Sequence, residues 1–370
     1  MIVGEGFAPR VALAVVSLGT STHLEACLAS LAAHESRVDF AVIWVRNSPG
    51  VLAKEDDIAV PTPIQVIALD TNLGWAGGLH VARAATTAEF LVWVQEDMEV
   101  FEGWVDALVH AADENPHISA FGSVAINSTG NPAGFAGGMA LPSDDVSRWN
   151  DTDTTATSLP EGVTEFDWVT SKGMLTRLSA WDEIGGADPR LFPLNHVDKD
   201  YCTHLRAHGY GVALVPTARL SHIGSASAPG LFREFVAHWQ EPRFNVRWAG
   251  VVEAMQIHSD PVAHDCRPWL APSNRRDYLL DSVRHSAGAE AADMVVPLAR
   301  WMAERVRQRG EENAGLLRSF TTSRSWRITA PLRALFALGA KLRHRSQSPR
   351  VARKSSPSPV TVSGPSPAEM

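Results

Sequence analysis

The sequence predicts an α/β fold: a mostly parallel, Rossmann-like sheet with flanking helices, followed by a C-terminal helical extension. Three observations carry this. Strand-length apolar runs alternate with helical patterns through the first half of the 370 residues. The runs end in polar residues, as the carboxyl ends of parallel strands do when they hold a site. A content of 45% apolar and 20% charged residues is that of a globular chain with a full core, and it excludes a collagen-like or disordered one.

Taken in order, Val11–Leu18 is a buried strand, since the run after Arg10 is too short to span a bilayer and lacks a small-residue cleavage site. His23–His34 sets Leu24, Cys27, Leu28 and Leu31 on one helical face. Phe40–Val45 is the second strand and runs into the turn cluster Asn47-Ser48-Pro49-Gly50. Ile64–Leu69 is the third strand, Gly78–Ala88 a helix and Glu89–Val94 the fourth strand. From Phe121 the pattern turns to short strands and turns, and Ser143–Pro160, which has no period, reads as a loop or hairpin insertion. Ala180–Ile184 and Lys199–His208 read as helices, Val212–Pro216 and Ala218–His222 as closing strands, and Leu231–Ile257 and Asp277–Arg309 as further helices. The domain reading is therefore 1–230 for the α/β domain, 231–312 for the helical extension, 313–345 for a basic amphipathic tail and 346–370 for a disordered Ser/Pro-rich tail.

Charge and cysteine usage narrow the function classes. No Asp or Glu occurs between Asn313 and Ala368 while ten Lys/Arg do, so the net charge of −8 divides into a basic tail and an acidic body. An acidic body repels nucleic acid, and none is expected as a partner. The tail reads either as a solvated extension or as a segment drawn to an anionic membrane surface. Cys27, Cys202 and Cys266 are an odd number without metal-site spacing, which points away from a disulfide scaffold and toward a reducing cytoplasm.

Four segments carry candidate chemistry. Asp70-Thr71-Asn72-Leu73-Gly74-Trp75-Ala76-Gly77-Gly78 follows a strand and opens a helix: its glycines permit close backbone approach and its N–H groups suit a phosphate, although a turn needing positive φ would look alike. Gln95-Glu96-Asp97-Met98-Glu99 follows the fourth strand, where carboxylates hold a hard cation or simply face solvent. Asp198 opens a helix and is either a cap or a general base. His222 ends a strand at Ser221-His222-Ile223-Gly224-Ser225 and is a metal ligand or an ordinary lone histidine.

In this order the segments resemble the family 2 inverting glycosyltransferases of GT-A fold, in particular their rhamnosyltransferase-like branch, over about residues 10–230. Asn72, Gly74, Gly77 and Gly78 match the family's Asn-x-Gly-x-x-Gly-Gly segment, and Glu96 and Asp97 its acidic motif. Gly173, Met174, Leu175 and Arg177 come next, then Gly185, Gly186, Asp188 and Phe192. Asp198, Asp200, Cys202 and Arg206 match the helix start that carries the family's base, and His222 its metal-binding histidine. Ser323–Arg333 looks like a tail element of polysaccharide-assembly members. Three positions depart from the pattern: Arg46 where a base-contacting Asp is usual, Gln95 where an acid is usual, and Val197 where Glu is usual.

The resemblance implies a metal-assisted, inverting transfer of a sugar, rhamnose among the candidates, from a nucleoside diphosphate donor to a glycan or lipid-linked glycan in cell-surface polysaccharide assembly. It implies Asp198 as base, Asp97 and His222 as ligands of Mg2+ or Mn2+, and Asn72, Gly74, Gly77, Gly78, Glu96 and Arg46 on the donor side. The enzyme would be cytoplasmic, in part peripheral at the inner membrane face. A non-catalytic nucleotide-sugar-binding or scaffold protein is the rival reading, motivated by Arg46 and Gln95. Nucleotidyltransferase activity is a third, which lacks a basic Gly-rich phosphate loop.

Overall fold

The computed structural model describes residues 9–18, 22–47, 64–133, 135–140, 149–153, 159–223, 230–258 and 276–322. The chain forms two units, Met1–Met302 and Ala303–Met370. Strands are β1 (Val11–Ser17), β2 (Phe40–Arg46), β3 (Ile64–Ala68), β4 (Phe90–Gln95), β5 (Met98–Val100), β6 (Ile118–Ala125), β7 (Phe135–Ala140), β8 (Trp149–Asp153), β9 (Thr164–Glu165), β10 (Trp168–Val169), β11 (Met174–Arg177) and β12 (Gly211–His222). Helices are α1 (Thr22–Ala32), α2 (Gly74–Ala84), α3 (Trp104–Glu114), α4 (Leu178–Ile184), α5 (Val197–Ala207), α6 (Gly230–His258) and α7 (Arg276–Thr322).

The main sheet has the order β3-β2-β1-β4-β11-β6-β12-β5, with β9 on the side of β12. Its left half is parallel, with Val16 of β1 opposite Gln95 and Ser17 opposite Arg46, so the carboxyl ends of β1, β2 and β4 lie side by side. Strand β11 enters between β4 and β6 antiparallel to both, which makes the sheet mixed. Alternation of side chains divides each strand between two cores, as a sheet covered on both faces requires. Val11, Leu13 and Val15 join Leu24, Leu28 and Leu31 of α1 and Trp104, Val105 and Leu108 of α3. Ala12, Ala14 and Val16 join Leu79 and Ala82 of α2, Trp181 of α4 and Tyr201 and Leu205 of α5. Phe235 and Val236 of α6 and Ala287 and Met294 of α7 extend the second core.

Several elements differ from the sequence reading, each for a local reason. Helix α2 begins at Gly74 and not Gly78, because two asparagine side chains satisfy its first amides: the Leu73 N–H donates to Asn47 Oδ1 and the Gly74 N–H to Asn72 Oδ1, both at 2.8 Å. The two closing strands are one strand, β12, with an irregularity between Leu214 and Arg219 around Pro216, which has no N–H to give a ladder. The period-free stretch contains β8, paired antiparallel with β7 as a hairpin. The cysteines Cys27 and Cys202 are buried free thiols. Ser48–Gly50, Cys266, the end of the basic tail read at 313–345 and all of 346–370 lie outside the described residues, while 303–322 of the second unit are helical, with Arg307 paired to Glu304 and Glu311.

One buried titratable group sits apart from any site. His80 of α2 is fully buried, with Nε2 2.7 Å from the Ala187 carbonyl and its ring edge-on to Trp181. Burial pushes its pKa down from 6.5 to about 4. The unfolded chain therefore takes up a proton that the folded one refuses between those values, so His80 contributes stability above pH 6.5 that is lost as pH falls. At about 1.36 kcal/mol for each tenfold change in proton affinity, the loss approaches ~3 kcal/mol. His80→Gln, which keeps a donor for Ala187, is expected to lose that much less stability than wild type between pH 7 and pH 4 in urea denaturation. Equal losses in the two proteins would remove His80 as the cause.

Candidate active site

The predicted chemistry gathers at the carboxyl edge of the sheet, where ligands bind open α/β folds. The acidic segment is not a loop: β4 ends at Gln95, Glu96 and Asp97 form a tight turn, and the chain returns as β5. Strand β5 pairs antiparallel with β12, with Met98 opposite His222. That register brings Asp97 Oδ1 to 3.3 Å from His222 Nε2, and the Ile223 N–H donates to the Asp97 carbonyl at 3.1 Å. Glu96 and Asp97 are both buried, whereas Glu99 is exposed on β5.

A second group is positioned by the turn Ser171-Lys172-Gly173 ahead of β11. Gly173 has φ +65° and its missing Cβ leaves room for Leu220, Trp104 and Ser123, so only glycine fits. The Gly173 N–H donates to the Trp93 carbonyl at 3.1 Å and its carbonyl accepts from Ser123 Oγ at 2.7 Å. The turn thus lies at the end of β4, opposite the start of α5. There Asp198 accepts from the Ser171 N–H at Oδ2 and from its neighbour Lys199 N–H at Oδ1, both at 3.0 Å. Burial pushes the Lys172 ammonium below the usual lysine range while the charges of Asp198 and Asp97 pull the other way, which places Lys172 in the field of both carboxylates.

Gln95 joins the two groups, and sequence reasoning had marked it only as a departure. Its Nε2 donates to Ser171 Oγ at 2.9 Å, and its Oε1 lies 2.9 Å from His222 Nε2. The polar chain Asp97, His222, Gln95, Ser171, Asp198 is therefore continuous across the site.

The Asp-x-Asp motif at the head of α5 divides its labour. Asp198 is half-buried at the site, while Asp200 is buried on the other side and meets α6: Trp248 Nε1 donates to Asp200 Oδ1 at 2.7 Å and Arg247 Nη1 lies 2.9 Å from it. Arg247 also pairs with Asp188 Oδ2, which Arg190 Nη2 holds as well at 2.6 Å. Burial, with Asp188 nearby, pushes the Asp200 carboxyl up to about 6 against the pull of Arg247. Burial works against Asp188 ionisation too, but Arg190 and Arg247 hold it below the ordinary carboxylate range. Two other residues of the resemblance are likewise structural. Arg177 donates to the Ala112 and Asn115 carbonyls at the end of α3 and to the Ile118 carbonyl at the start of β6, and Arg206 pairs with Asp167.

The glycine-rich segment does something other than expose free amides to a phosphate. A Cβ on Gly77 would stand 2.5 Å from Leu73 Cβ, and one on Gly78 2.5 Å from Val16 Cγ1. Gly74 has φ +71° beneath Phe192 and Pro193. The amides of Leu73 and Gly74 are taken by Asn47 and Asn72, and that of Trp75 donates to the Pro193 carbonyl at 2.7 Å. These glycines seat α2 on β1 and on the 192–193 segment. Asn47, joined also to the Gly74 carbonyl at 2.8 Å, ties the end of β2 to α2. Beside it Arg46 is buried with its guanidinium 5.7 Å from the Trp44 ring.

Among the described residues no group of three or more His, Cys, Asp or Glu side chains surrounds one point. Asp97 and His222 offer an oxygen and a nitrogen 3.3 Å apart, close to the ~3 Å between neighbouring vertices of an octahedron with bonds of about 2.1 Å. This donor set fits a divalent cation that completes its shell with diphosphate oxygens and water, the usual manner of Mg2+, and an N/O pair also suits Mn2+.

An open Rossmann-like sheet with an acidic turn after its fourth strand is a GT-A framework. Residues 15–159 match the sequence profile of Glycosyl transferase family 2. The match takes in Arg46, Asn72–Gly78, Glu96 and Asp97, while Asp198 and His222 lie beyond it. Among solved structures, the chain is similar to GalNAc-T7 crystallised with UDP, GalNAc and Mn2+, at TM-score 0.53 and 14% identity, with 74% of this chain and 55% of that one covered. The chain thus spans little more than half the length of that protein. A fragment of S. aureus TarS aligns at TM-score 0.44 and 11% identity over 75% of this chain and 71% of that one. A mannosyltransferase from Pyrobaculum calidifontis, in complex with GDP-Man and Mn2+, aligns at TM-score 0.40 and 14% identity over 92% and 89%. No curated protein matches the sequence significantly.

Proposed function

We propose that the protein transfers a sugar, rhamnose being the candidate from the branch it resembles, from a nucleoside diphosphate donor to a hydroxyl of a glycan or lipid-linked glycan, with inversion at the anomeric carbon. The observation that supports this best is the convergence of Asp97, His222 and Asp198 at one sheet edge, joined through Gln95 and Ser171. Asp198 holds its carboxylate aimed by two backbone N–H groups and receives the proton of the attacking hydroxyl. The acceptor oxygen forms its bond to the anomeric carbon as the bond from that carbon to the diphosphate breaks, and the diphosphate leaves with the electron pair. Asp97 and His222 would hold Mg2+ or Mn2+, which supplies positive charge against the leaving diphosphate when bound. Lys172 adds a basic group in the field of both carboxylates. Arg46 and Glu96, with the packed Asn72–Gly78 segment behind them, form the donor side.

A panel of nucleoside diphosphate sugars, each with and without Mn2+, tests the reading by thermal stabilisation followed by a transfer assay. One donor is expected to stabilise the protein in a metal-dependent manner, by about 2.7 kcal/mol at 100 times its Kd. Stabilisation by none of them would sink it. A cytoplasmic location with the basic tail on an anionic membrane surface, near a lipid-linked acceptor in cell-surface polysaccharide assembly, completes the proposal. Among the described residues no helix is long and apolar enough to cross a membrane. Co-sedimentation with anionic vesicles is expected to fall on truncation after Thr322 and with added salt; binding insensitive to both would rule the tail out.

A further inference from the structure

We infer that Gln95 is a positioning residue that competes with a divalent cation for His222 Nε2, so that the side chain joining the two halves of the site must let go of the histidine before the metal can be held. The inference rests on the metal-assisted reading above and concerns a residue that reading leaves without a role.

The argument starts from hydrogen-bond polarity. Two oxygens face His222 Nε2: Gln95 Oε1 at 2.9 Å and Asp97 Oδ1 at 3.3 Å. Oxygens of an amide and a carboxylate only accept, so Nε2 carries a hydrogen toward them. The Asp97 carboxylate, which only accepts, sets a hydrogen on His222 Nε2 and so turns the oxygen of the Gln95 amide toward that nitrogen, leaving the amide Nε2 2.9 Å from Ser171 Oγ, a hydroxyl that serves as its acceptor. The Gln95 backbone is fixed as well: its N–H contacts Met98 Sδ at 3.4 Å, and its carbonyl accepts from Cys27 Sγ at 3.6 Å. In this arrangement His222 has no lone pair at Nε2 to offer, although that nitrogen is the one directed at Asp97. Ligation needs the hydrogen moved to Nδ1 and the Gln95 oxygen moved away. Gln95 thus keeps His222 in place beside Asp97 and at the same time opposes its use as a ligand. When the amide swings off, its link to Ser171, whose N–H holds Asp198, is the one other side-chain hydrogen bond among the described residues that it has to keep or lose.

The test is Mn2+ binding to the donor-free protein, read from loss of the free-ion electron paramagnetic resonance signal, in wild type, Gln95→Met and Ser171→Ala. Gln95→Met preserves length while removing both polar atoms. It is expected to bind Mn2+ about 2- to 10-fold tighter than wild type, the fold-change equivalent to one net hydrogen bond. It should also turn over more slowly, with kcat reduced about tenfold and the donor KM near wild type. Ser171→Ala frees the amide without removing it and should tighten Mn2+ binding by less. A residue that merely braced the site would, when replaced, leave Mn2+ affinity unchanged or weaker, and that outcome in a Gln95→Met protein with wild-type thermal unfolding overturns the inference. If wild type binds no Mn2+ at all, the metal-assisted reading and the inference fall together. If wild type binds it and Gln95→Met binds no tighter, the inference alone falls.

Discussion

Asp198→Asn is expected to lower transfer by about 10²–10⁴-fold while donor binding stays near wild type. The substitution keeps the shape and one carbonyl oxygen to accept from the Ser171 or Lys199 amide, so the turn and the head of α5 keep their places. What it removes is the capacity to take a proton. A structural cap would behave differently: an Asn in that position caps about as well as Asp, and turnover would be little affected. Steady-state kcat with a saturating donor, together with donor-induced thermal stabilisation, separates these outcomes. A variant that retains most of its turnover would eliminate Asp198 as the base.

Asp97→Ala is expected to abolish metal-dependent donor stabilisation and to reduce transfer at least as much as the loss of the base. Of the two proposed ligands, Asp97 supplies the charge, and its loss leaves His222 with a neutral amide at 2.9 Å. Because the turn Glu96–Asp97 is held by backbone pairing of β5 with β12 and by the Ile223 amide, the side chain can be removed without loosening the turn. Excess chelator on wild type should reproduce the variant. Full activity in chelator, or in Asp97→Ala, would refute a metal held here.

Much of this molecule was legible in the sequence because its strands are buried on both faces. Val11–Ser17 and Phe90–Gln95 are nearly unbroken apolar runs, which only a covered sheet explains. The candidate site residues Asp97, Asp198 and His222 were legible as carboxylates and a histidine at element ends, and their order drew the family resemblance. What the sequence hid was whatever depends on long-range pairing. Met98–Val100 is three residues long and has no period of its own, yet its pairing with β12 sets Asp97 against His222. The glycines of Gly74–Gly78 looked like a ligand cradle because sequence shows a missing side chain but not what fills the space, here Val16, Leu73 and Phe192. Asp198 reads from the sequence as cap or base and Asp200 only as part of the motif; two residues along a helix turn a side chain from one surroundings to the opposite, and the contacts of Asp200 with α6 come from long-range packing that the motif does not show.

The irregularity in β12 acts as a phase change along the strand. Ahead of it, odd-numbered side chains, Ala213 and Val215, point to the core of α1 and α3, while even-numbered Val212 and Leu214 point to the core of α2 and α5. Beyond it the parity is exchanged, and it is Ala218 and Leu220 that point to α1 and α3. His222 takes its face from this second phase. In an uninterrupted strand of the same length, an even-numbered residue would present itself on the opposite side of the sheet, with the sheet between it and where it now stands. The extra step around Pro216 and Thr217 is a spacer that decides on which side of a wall the histidine emerges. Between Leu214, paired with Gly122, and Arg219, paired with Val124, β12 spends three residues more than β6, and this odd excess is what sets His222 on the side of Asp97.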